Sequence, residues 1–446
     1  MKSDTANADF FGKENIWRVL LKIAPPVMLA QLIQALYNIV DSFFVGRYSM
    51  YGLTALSVIY PIQLIIIALA VGTGIGVNTY MARMYALNKK NNADKTAGMG
   101  MLLGVIMWFI FSVISIFILK GYISISAKSP EAVKYAADYG MIVCVGSIGL
   151  FLESIWSKVH QAHGDMKTPM LAQIAGAAVN IILDPILIFG LGPIPELGIR
   201  GAAAATVAGQ CTAAVITGIK GIRKPPEPKF YTAYMKKIYK LGYPSVIMQV
   251  LFTVYIVVLN VVLAGFCDEA VTVLGLYYKM QTFFFIPLMA LQTCIVPVLS
   301  YNYACSEYKR VNDILKNSII ISVVFMIVGI VFFEFFPDVL ILCFSKNDRV
   351  LEIGVTAFRI IGVSFIPAVF SLTAPVFFQA IGKPVQSVAL SLARQIFCLI
   401  PLFILFSRIG LDFSWIAFPL SEVIVGIAGI ILYYRDFYKS KILIDL

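Results

Sequence analysis

The stretch Pro26-Val27-Met28-Leu29-Ala30-Gln31-Leu32-Ile33-Gln34-Ala35-Leu36-Tyr37 returns, at a shift of 218 positions, as Pro244-Ser245-Val246-Ile247-Met248-Gln249-Val250-Leu251-Phe252-Thr253-Val254-Tyr255. Pro26, Gln31 and Tyr37 fall on Pro244, Gln249 and Tyr255. The same shift lays Thr54, Leu56, Tyr60 and Gln63 on Thr272, Leu274, Tyr278 and Gln281. It also lays Tyr85-Ala86 on Tyr303-Ala304, and Gln161-Ala162-x-Gly164 on Gln379-Ala380-x-Gly382. One register holding over four helices is a duplication. Six spans per copy, an even number, makes the copies parallel, related by an axis along the membrane normal.

The spans follow from apolar runs bounded by charge, Gly and Pro. About twelve are predicted, with cores near 17–46, 52–82, 97–120, 132–157, 168–191, 200–219, 238–265, 270–303, 312–336, 350–380, 385–407 and 414–434. Composition agrees: the 446 residues are 60% hydrophobic and 13% charged, where a soluble domain is about 25% charged. The runs are long and apolar on every side, which excludes a β-barrel with alternating faces. An all-α polytopic membrane protein is therefore expected. The longest polar interruption contains Lys224-Pro225-Pro226-Glu227-Pro228 and predicts a six-helix lobe over 1–222, a basic cytoplasmic linker over 223–237 and a second lobe over 238–446. Tails and alternate loops carry about 24 basic residues against about 8 on the other side, which places both termini in the cytoplasm. The net charge of +11 is largely this asymmetry and calls for no nucleic acid; contact of the linker with anionic lipid is the other reading.

Two histidines, His160 and His163, both lie beside a loop, and seven scattered cysteines form no CxxC pair. No metal site, cofactor or disulfide framework is expected. The polar start, with Lys2, Asp4, Asn7 and Asp9, leads into a long span with no small-residue cleavage site, so no removable signal is expected. No paired nucleophile and base appears either, which disfavours an intramembrane enzyme.

A carboxylate well inside a span costs about 2.5–3.5 kcal/mol on insertion scales and is a functional candidate by default. Asp41 lies toward the outer end of span 1, and Asp184 lies in span 5, four residues after Asn180 and on the same helix face. Both spans run outward, so the two acids can share one pocket. Two close carboxylates cannot both ionise cheaply; the pair keeps a proton or takes a small hard cation, with Asn180 and a hydroxyl such as Thr206 completing an oxygen shell. The competing reading is that Asp184 caps a break at Pro185 and that Asp41 hydrogen-bonds Asn38. The shift maps Asp41 onto Leu259, so the ion site belongs to the first lobe alone.

In the second lobe the buried charges are Lys279, Arg359, Arg394 and Glu422. Arg359 and Arg394 read as snorkelling or structurally paired residues, and Lys279 as a partner for Glu422. Glu153 reads as structural, near Lys158. Gln34, Tyr37, Gln63, Met248, Tyr255, Tyr278, Lys279 and Gln281 lie on the first two helices of each lobe. They read either as a cleft for flat, amphipathic or cationic molecules or as ordinary helix packing. Pro26, with Pro244, reads as a hinge or a plain helix start. Gly72, Gly74 and Gly76 form a small-residue stripe suited to close helix packing.

The run from Val179-Asn180 through Asp184-Pro185 to Gly190, followed by Gly201-Ala202-Ala203-x-Ala205-Thr206, resembles the multidrug and toxic compound extrusion family. Pro26, Asp41 and Gly46, the Gln161-Ala162-x-Gly164 turn and the twelve-span duplication carry the same resemblance over nearly the whole chain. It implies two six-helix lobes in a V around a central cleft, in a prokaryotic cytoplasmic membrane. It implies antiport, in which an inward cation gradient drives export of drugs or metabolites, with no cofactor. Asp41, Asn180 and Asp184, with Thr206 nearby, would form the cation or proton site, and Pro26 would let span 1 bend. The chain departs from the sodium-type branch, because Tyr255 and Leu259 stand in span 7 and span 10 has no carboxylate. A proton is favoured over sodium at the first-lobe site, and a monomer is expected. The nearest rival is a lipid-linked saccharide flippase of the same superfamily, which Lys279 keeps open. A channel is a weaker rival, since it needs a continuous polar path.

Overall fold

The computed structural model describes residues 10–126, 129–191, 194–344 and 347–442; the polar start with Lys2, Asp4, Asn7 and Asp9 lies outside them. The described residues are mostly helical, with no strand among them. The first long helices are α1 (Ile16–Tyr48), α2 (Met50–Ala86), α3 (Lys90–Ser126) and the bent pair α4 (Pro130–Gly146) and α5 (Ile148–Ala162). They are followed by α6 (Lys167–Phe189), α7 (Ile199–Gly221) and α8 (Tyr231–Ala264). The chain continues through α9 (Asp268–Phe284), α10 (Ile286–Ala304), α11 (Tyr308–Phe335), the short α12 (Pro337–Leu342), α13 (Asp348–Gly362) and α14 (Phe365–Ala380). It closes with α15 (Pro384–Leu392), a π turn over Ala393–Leu399, α16 (Ile400–Ser407), the short α17 (Leu411–Ser414) and α18 (Ala417–Tyr433). Among the described residues nine helices are long and apolar enough to cross a membrane, and twelve if each of three bent pairs counts as one span.

The bends have local causes. Helices α4 and α5 meet at 43°, α9 and α10 at 54°, and α13 and α14 at 57°. Pro287 and Pro367 lack the N–H that a carbonyl four residues back would accept, and the second and third breaks fall just before them. The first break, at Ser147, has no proline. There the Cys144 carbonyl accepts from Ser147 Oγ at 2.7 Å and from Ser112 Oγ at 3.3 Å, and the Val145 carbonyl accepts from Trp108 Nε1 at 2.8 Å. Backbone freed at membrane depth needs such donors, because lipid supplies none.

Two compact units divide the chain. One holds Pro25–Val246, and the other holds Gly12–Ala24 with the chain from Ile247 onward. Helices α1 and α8 are each continuous through the point where the chain changes unit, beside Pro25-Pro26 and Pro244. Within the first unit the start of α8 lies on α2 with backbone against backbone: a Cβ on Gly76 would sit 2.2 Å from the Ile238 carbonyl oxygen, and one on Gly242 2.4 Å from that of Gly72. Helices α6 and α7 approach equally closely at Gly176 and Gly209. Such contacts drive helix association where the lipid is as apolar as the side chains. The second unit has an aromatic core that includes Tyr277, Phe333, Phe358, Phe365, Trp415 and Phe418. Large apolar side chains also face outward, Phe117 at 79% and Ile219 at 75% exposure, as lipid contact requires and water would not favour.

Candidate cation-binding site

Tyr37 and Asp41 come from α1, one helical turn apart, and Asn180 and Asp184 come from α6 at the same spacing. Thr206 comes from α7, which the Gly176–Gly209 contact holds against α6; a Cβ on Gly209 would lie 3.2 Å from the Asn180 Cβ. Asp41, Asn180, Asp184 and Thr206 are all buried, with Asp184 fully so. Asp41 and Asp184 interact electrostatically, and Tyr37 feels both. The first unit therefore gathers the four oxygen-bearing side chains expected from the sequence.

Their hydrogen bonding is incomplete. Asn180 Nδ2 donates to Asp184 Oδ1 over a long 3.4 Å. Asp41 Oδ1, Asn180 Oδ1 and Asp184 Oδ2 are buried acceptors with no donor. Glu153 on α5 is the informative contrast: it is equally buried, but it accepts from Ser157 Oγ at 2.6 Å and Gln173 Nε2 at 2.9 Å. One acid is satisfied by its own fold, while the other two are left with open lone pairs. Two features bear on the competing reading of these acids. Helix α6 continues through Pro185 to Phe189, so Asp184 caps no break, and Asn38 is exposed while Asp41 is buried.

Sequence reasoning missed Tyr139, on α4. Its hydroxyl accepts from Gln63 Nε2 at 3.4 Å, shares a side-chain hydrogen bond with Thr206 and lies within electrostatic reach of Asp41. As one of 22 tyrosines in an apolar chain it carries no signal of its own.

In the second unit Tyr255 is buried and its ring lies 6.2 Å from that of Tyr278, while Met248 and Gln281 are half-buried. In the first unit Gln63 is half-buried and Gln34 exposed. The suggested pairing of Lys279 with Glu422 is not formed. Lys279 is exposed, with Nζ 5.9 Å from the centre of the Phe344 ring. Glu422, on α18, is instead held by Arg394 from the π turn: Nε donates to both carboxylate oxygens at 2.9 and 3.0 Å, Nη2 donates to Oε1 at 2.5 Å, and Ser371 Oγ donates as well. Arginine wins because its planar fork matches a carboxylate and loses less entropy per bond than a lysine. Arg359 is exposed and donates to the Glu334 carbonyl at 3.2 Å, near the end of α11.

A duplicated set of membrane helices with buried polar residues at membrane depth is a construction that transporters use. A family model described as MatE matches residues 26–186 and 244–405, two copies whose starts are the repeat-related Pro26 and Pro244. The chain belongs to this family, whose members are transporters and not enzymes. It is 26% identical over 421 residues to the FAD transporter of Shewanella oneidensis, with 93% of each chain covered. It is 24% identical to the multidrug export protein MepA of Staphylococcus haemolyticus, covering 98% of this chain and 97% of that one. Among solved structures, a multidrug resistance MATE family transporter in an outward-facing conformation superposes with a TM-score of 0.89 at 22% identity, covering 96% of this chain and 97% of that one. That match shows the shared fold.

Proposed function

We propose that this chain is a cation-coupled exporter of small organic molecules that works by alternating access, with Asp41, Asn180, Asp184 and Thr206 as its coupling site. The observation that carries the reading is the trio of buried, undonated oxygens on Asp41, Asn180 and Asp184. An unsatisfied buried polar group costs about 1–3 kcal/mol, and a proton or a small hard cation relieves it. We favour the proton as coupling ion; the all-oxygen set also suits sodium.

Coupling requires that the cation and the substrate prefer different conformations. Helix α1 supplies the link, because it carries Asp41 and changes unit beside Pro25-Pro26. Pro26 is the hinge in this reading. The substrate class is amphipathic or cationic organic molecules, in line with the names of the multidrug export relatives; the FAD transporter relative extends it to flat aromatic metabolites. Gln34, Tyr37 and Gln63 in a lobe over 1–222, and Met248, Tyr255, Tyr278, Lys279 and Gln281 in a lobe over 238–446, are the proposed substrate contacts. The segment 223–237 joins the lobes in the cytoplasm, where both termini also lie, in the inner membrane of a prokaryote and as a monomer. A lipid-linked saccharide flippase is the second reading: Arg394 is neutralised by Glu422, which leaves the exposed Lys279 as its cation for a diphosphate.

Uptake of a fluorescent lipophilic cation into everted vesicles, under an imposed pH or Na⁺ gradient, tests the proposal. Transport that follows one gradient in the wild type and is lost in Asp184→Asn is expected. Transport that ignores both gradients, or that Asp184→Asn leaves at the wild-type rate, would overturn the site.

A further inference from the structure

Helix α5 ends in Val159-His160-Gln161-Ala162, and the chain then turns through His163, Gly164 and Asp165 before α6 begins. Gly164 makes the turn possible with φ at +91°. Asp165 is fixed by the start of α6: its Oδ1 accepts from the backbone N–H groups of Lys167 and Thr168, both at 3.1 Å, and its Oδ2 accepts from Thr168 Oγ1 at 2.6 Å. His160 is fully buried and His163 nearly so, with ring centres 5.7 Å apart. The Tyr85 ring packs edge-on against His163.

The orientation of His160 follows from its partners. Nε2 lies 2.9 Å from the Thr217 backbone carbonyl on α7, and a carbonyl only accepts, so Nε2 carries a hydrogen. That leaves the buried Nδ1 facing the carboxylate, 3.2 Å from Asp165 Oδ2. A ring nitrogen and a carboxylate oxygen at this separation are bridged by a proton or by a metal ion.

We propose that His160, His163 and Asp165 form a binding site for a divalent transition-metal ion of the zinc class. One ligand atom from each of the three lies within 4.8 Å of the others. Zinc takes imidazole nitrogen and carboxylate oxygen at about 2.0–2.2 Å, which sets ligand atoms about 3.4 Å apart. The His160–Asp165 pair is close to that separation at 3.2 Å, and His163 is the capping residue past the end of α5. The supporting contacts are those a metal site uses: the second nitrogen of His160 donates to a backbone carbonyl, and the carboxylate is oriented by a hydroxyl and two backbone donors. Three protein ligands leave one position for water. An ion here fastens the end of α5, the start of α6 and, through Thr217, the last turns of α7. Neither carboxylate of the coupling site takes part, so the inference stands or falls independently of the proposed function. The His-x-x-His-x-Asp spacing gave no such expectation from sequence, because the Thr217 contact that orients the His160 ring comes from 57 residues away.

The test uses the full chain, purified without a histidine tag, stripped with a chelator and kept in detergent. Co²⁺ is titrated as a spectroscopic probe, and Zn²⁺ is titrated by calorimetry. One equivalent of each is expected, with a visible ligand-field band for Co²⁺ and a rise in the unfolding temperature with Zn²⁺. Asp165→Asn and His163→Gln, which spare the His160–Thr217 contact, are each expected to weaken Zn²⁺ binding by more than about tenfold. If one variant fails to fold, the other gives the same reading. Absence of stoichiometric uptake at about 1 mM Zn²⁺, in the regime of an affinity of only about −4 kcal/mol, would overturn the proposal and leave a simple His160–Asp165 ion pair. Uptake that both folded variants leave unchanged would overturn it equally.

Discussion

Arg394→Met and Glu422→Gln, singly and together, separate a structural charge pair from a transport site. In the second unit Arg394 makes three short contacts to Glu422, both side chains are buried, and Ser371 is the carboxylate's other donor. Removing one partner of a buried pair leaves an uncompensated charge and costs about 3–5 kcal/mol, whereas replacing both with neutral side chains of similar volume is often neutral. The two singles differ in severity. A guanidinium stays charged whatever its surroundings, so Glu422→Gln, which strands Arg394, is expected to be the worse. Reversible unfolding in mixed micelles, followed through fluorescence of the buried Trp415, gives the three stability changes and the coupling between them. The double variant is expected to lie within about 1–2 kcal/mol of the wild type, so the coupling energy is at least about 3 kcal/mol and favourable. The double variant should also keep gradient-driven efflux, because Asp41 and Asp184 are untouched. Additive single effects would refute the pairing argument, and a well-folded double variant without transport would move Arg394 and Glu422 into the transport machinery.

Asp41→Asn is expected to abolish ion-coupled efflux while leaving the unfolding temperature nearly unchanged, since no donor is lost. Glu153→Gln should do the reverse: transport persists, and stability falls by about 1–2 kcal/mol because the Gln173 amide loses a charged acceptor. Gly76→Ala places a methyl 2.2 Å from the Ile238 carbonyl oxygen, where only backbone can yield, and should cost at least about 1–3 kcal/mol in the same unfolding assay. Pro26→Ala returns an N–H to the interior of α1 and should stabilise the helix by up to about 3 kcal/mol. If Pro26 is the hinge, the efflux rate falls as stability rises; an unchanged rate argues that α1 need not bend.

Twelve apolar runs, the duplication and the carboxylates Asp41 and Asp184 within them were legible because each is a one-dimensional signal. A span must be apolar over about 20 residues, a repeat keeps its register, and a carboxylate in lipid is rare enough to stand out. What the sequence hid depends on residues brought together from far along the chain. The break at Ser147 is stabilised by Trp108 and Ser112 on another helix, and Tyr139 joins the Asp41 site only because Gln63 and Thr206 reach its hydroxyl. Lys279 was the expected partner of Glu422 and Arg394 a snorkelling or structurally paired residue, but the π turn at Ala393–Leu399 aims the arginine fork at the carboxylate. Asp41, Asp184 and Glu153 show the same limit within one unit. All three are buried acids on apolar helices, and only the nearby Lys158 marked Glu153 as structural in the sequence. Ser157 and Gln173 satisfy one of them, whereas Asp41 Oδ1 and Asp184 Oδ2 find no donor among the described residues. Hydrogen-bond accounting in three dimensions, and not burial or charge alone, is what separates an acid that its own fold satisfies from a pair with open lone pairs.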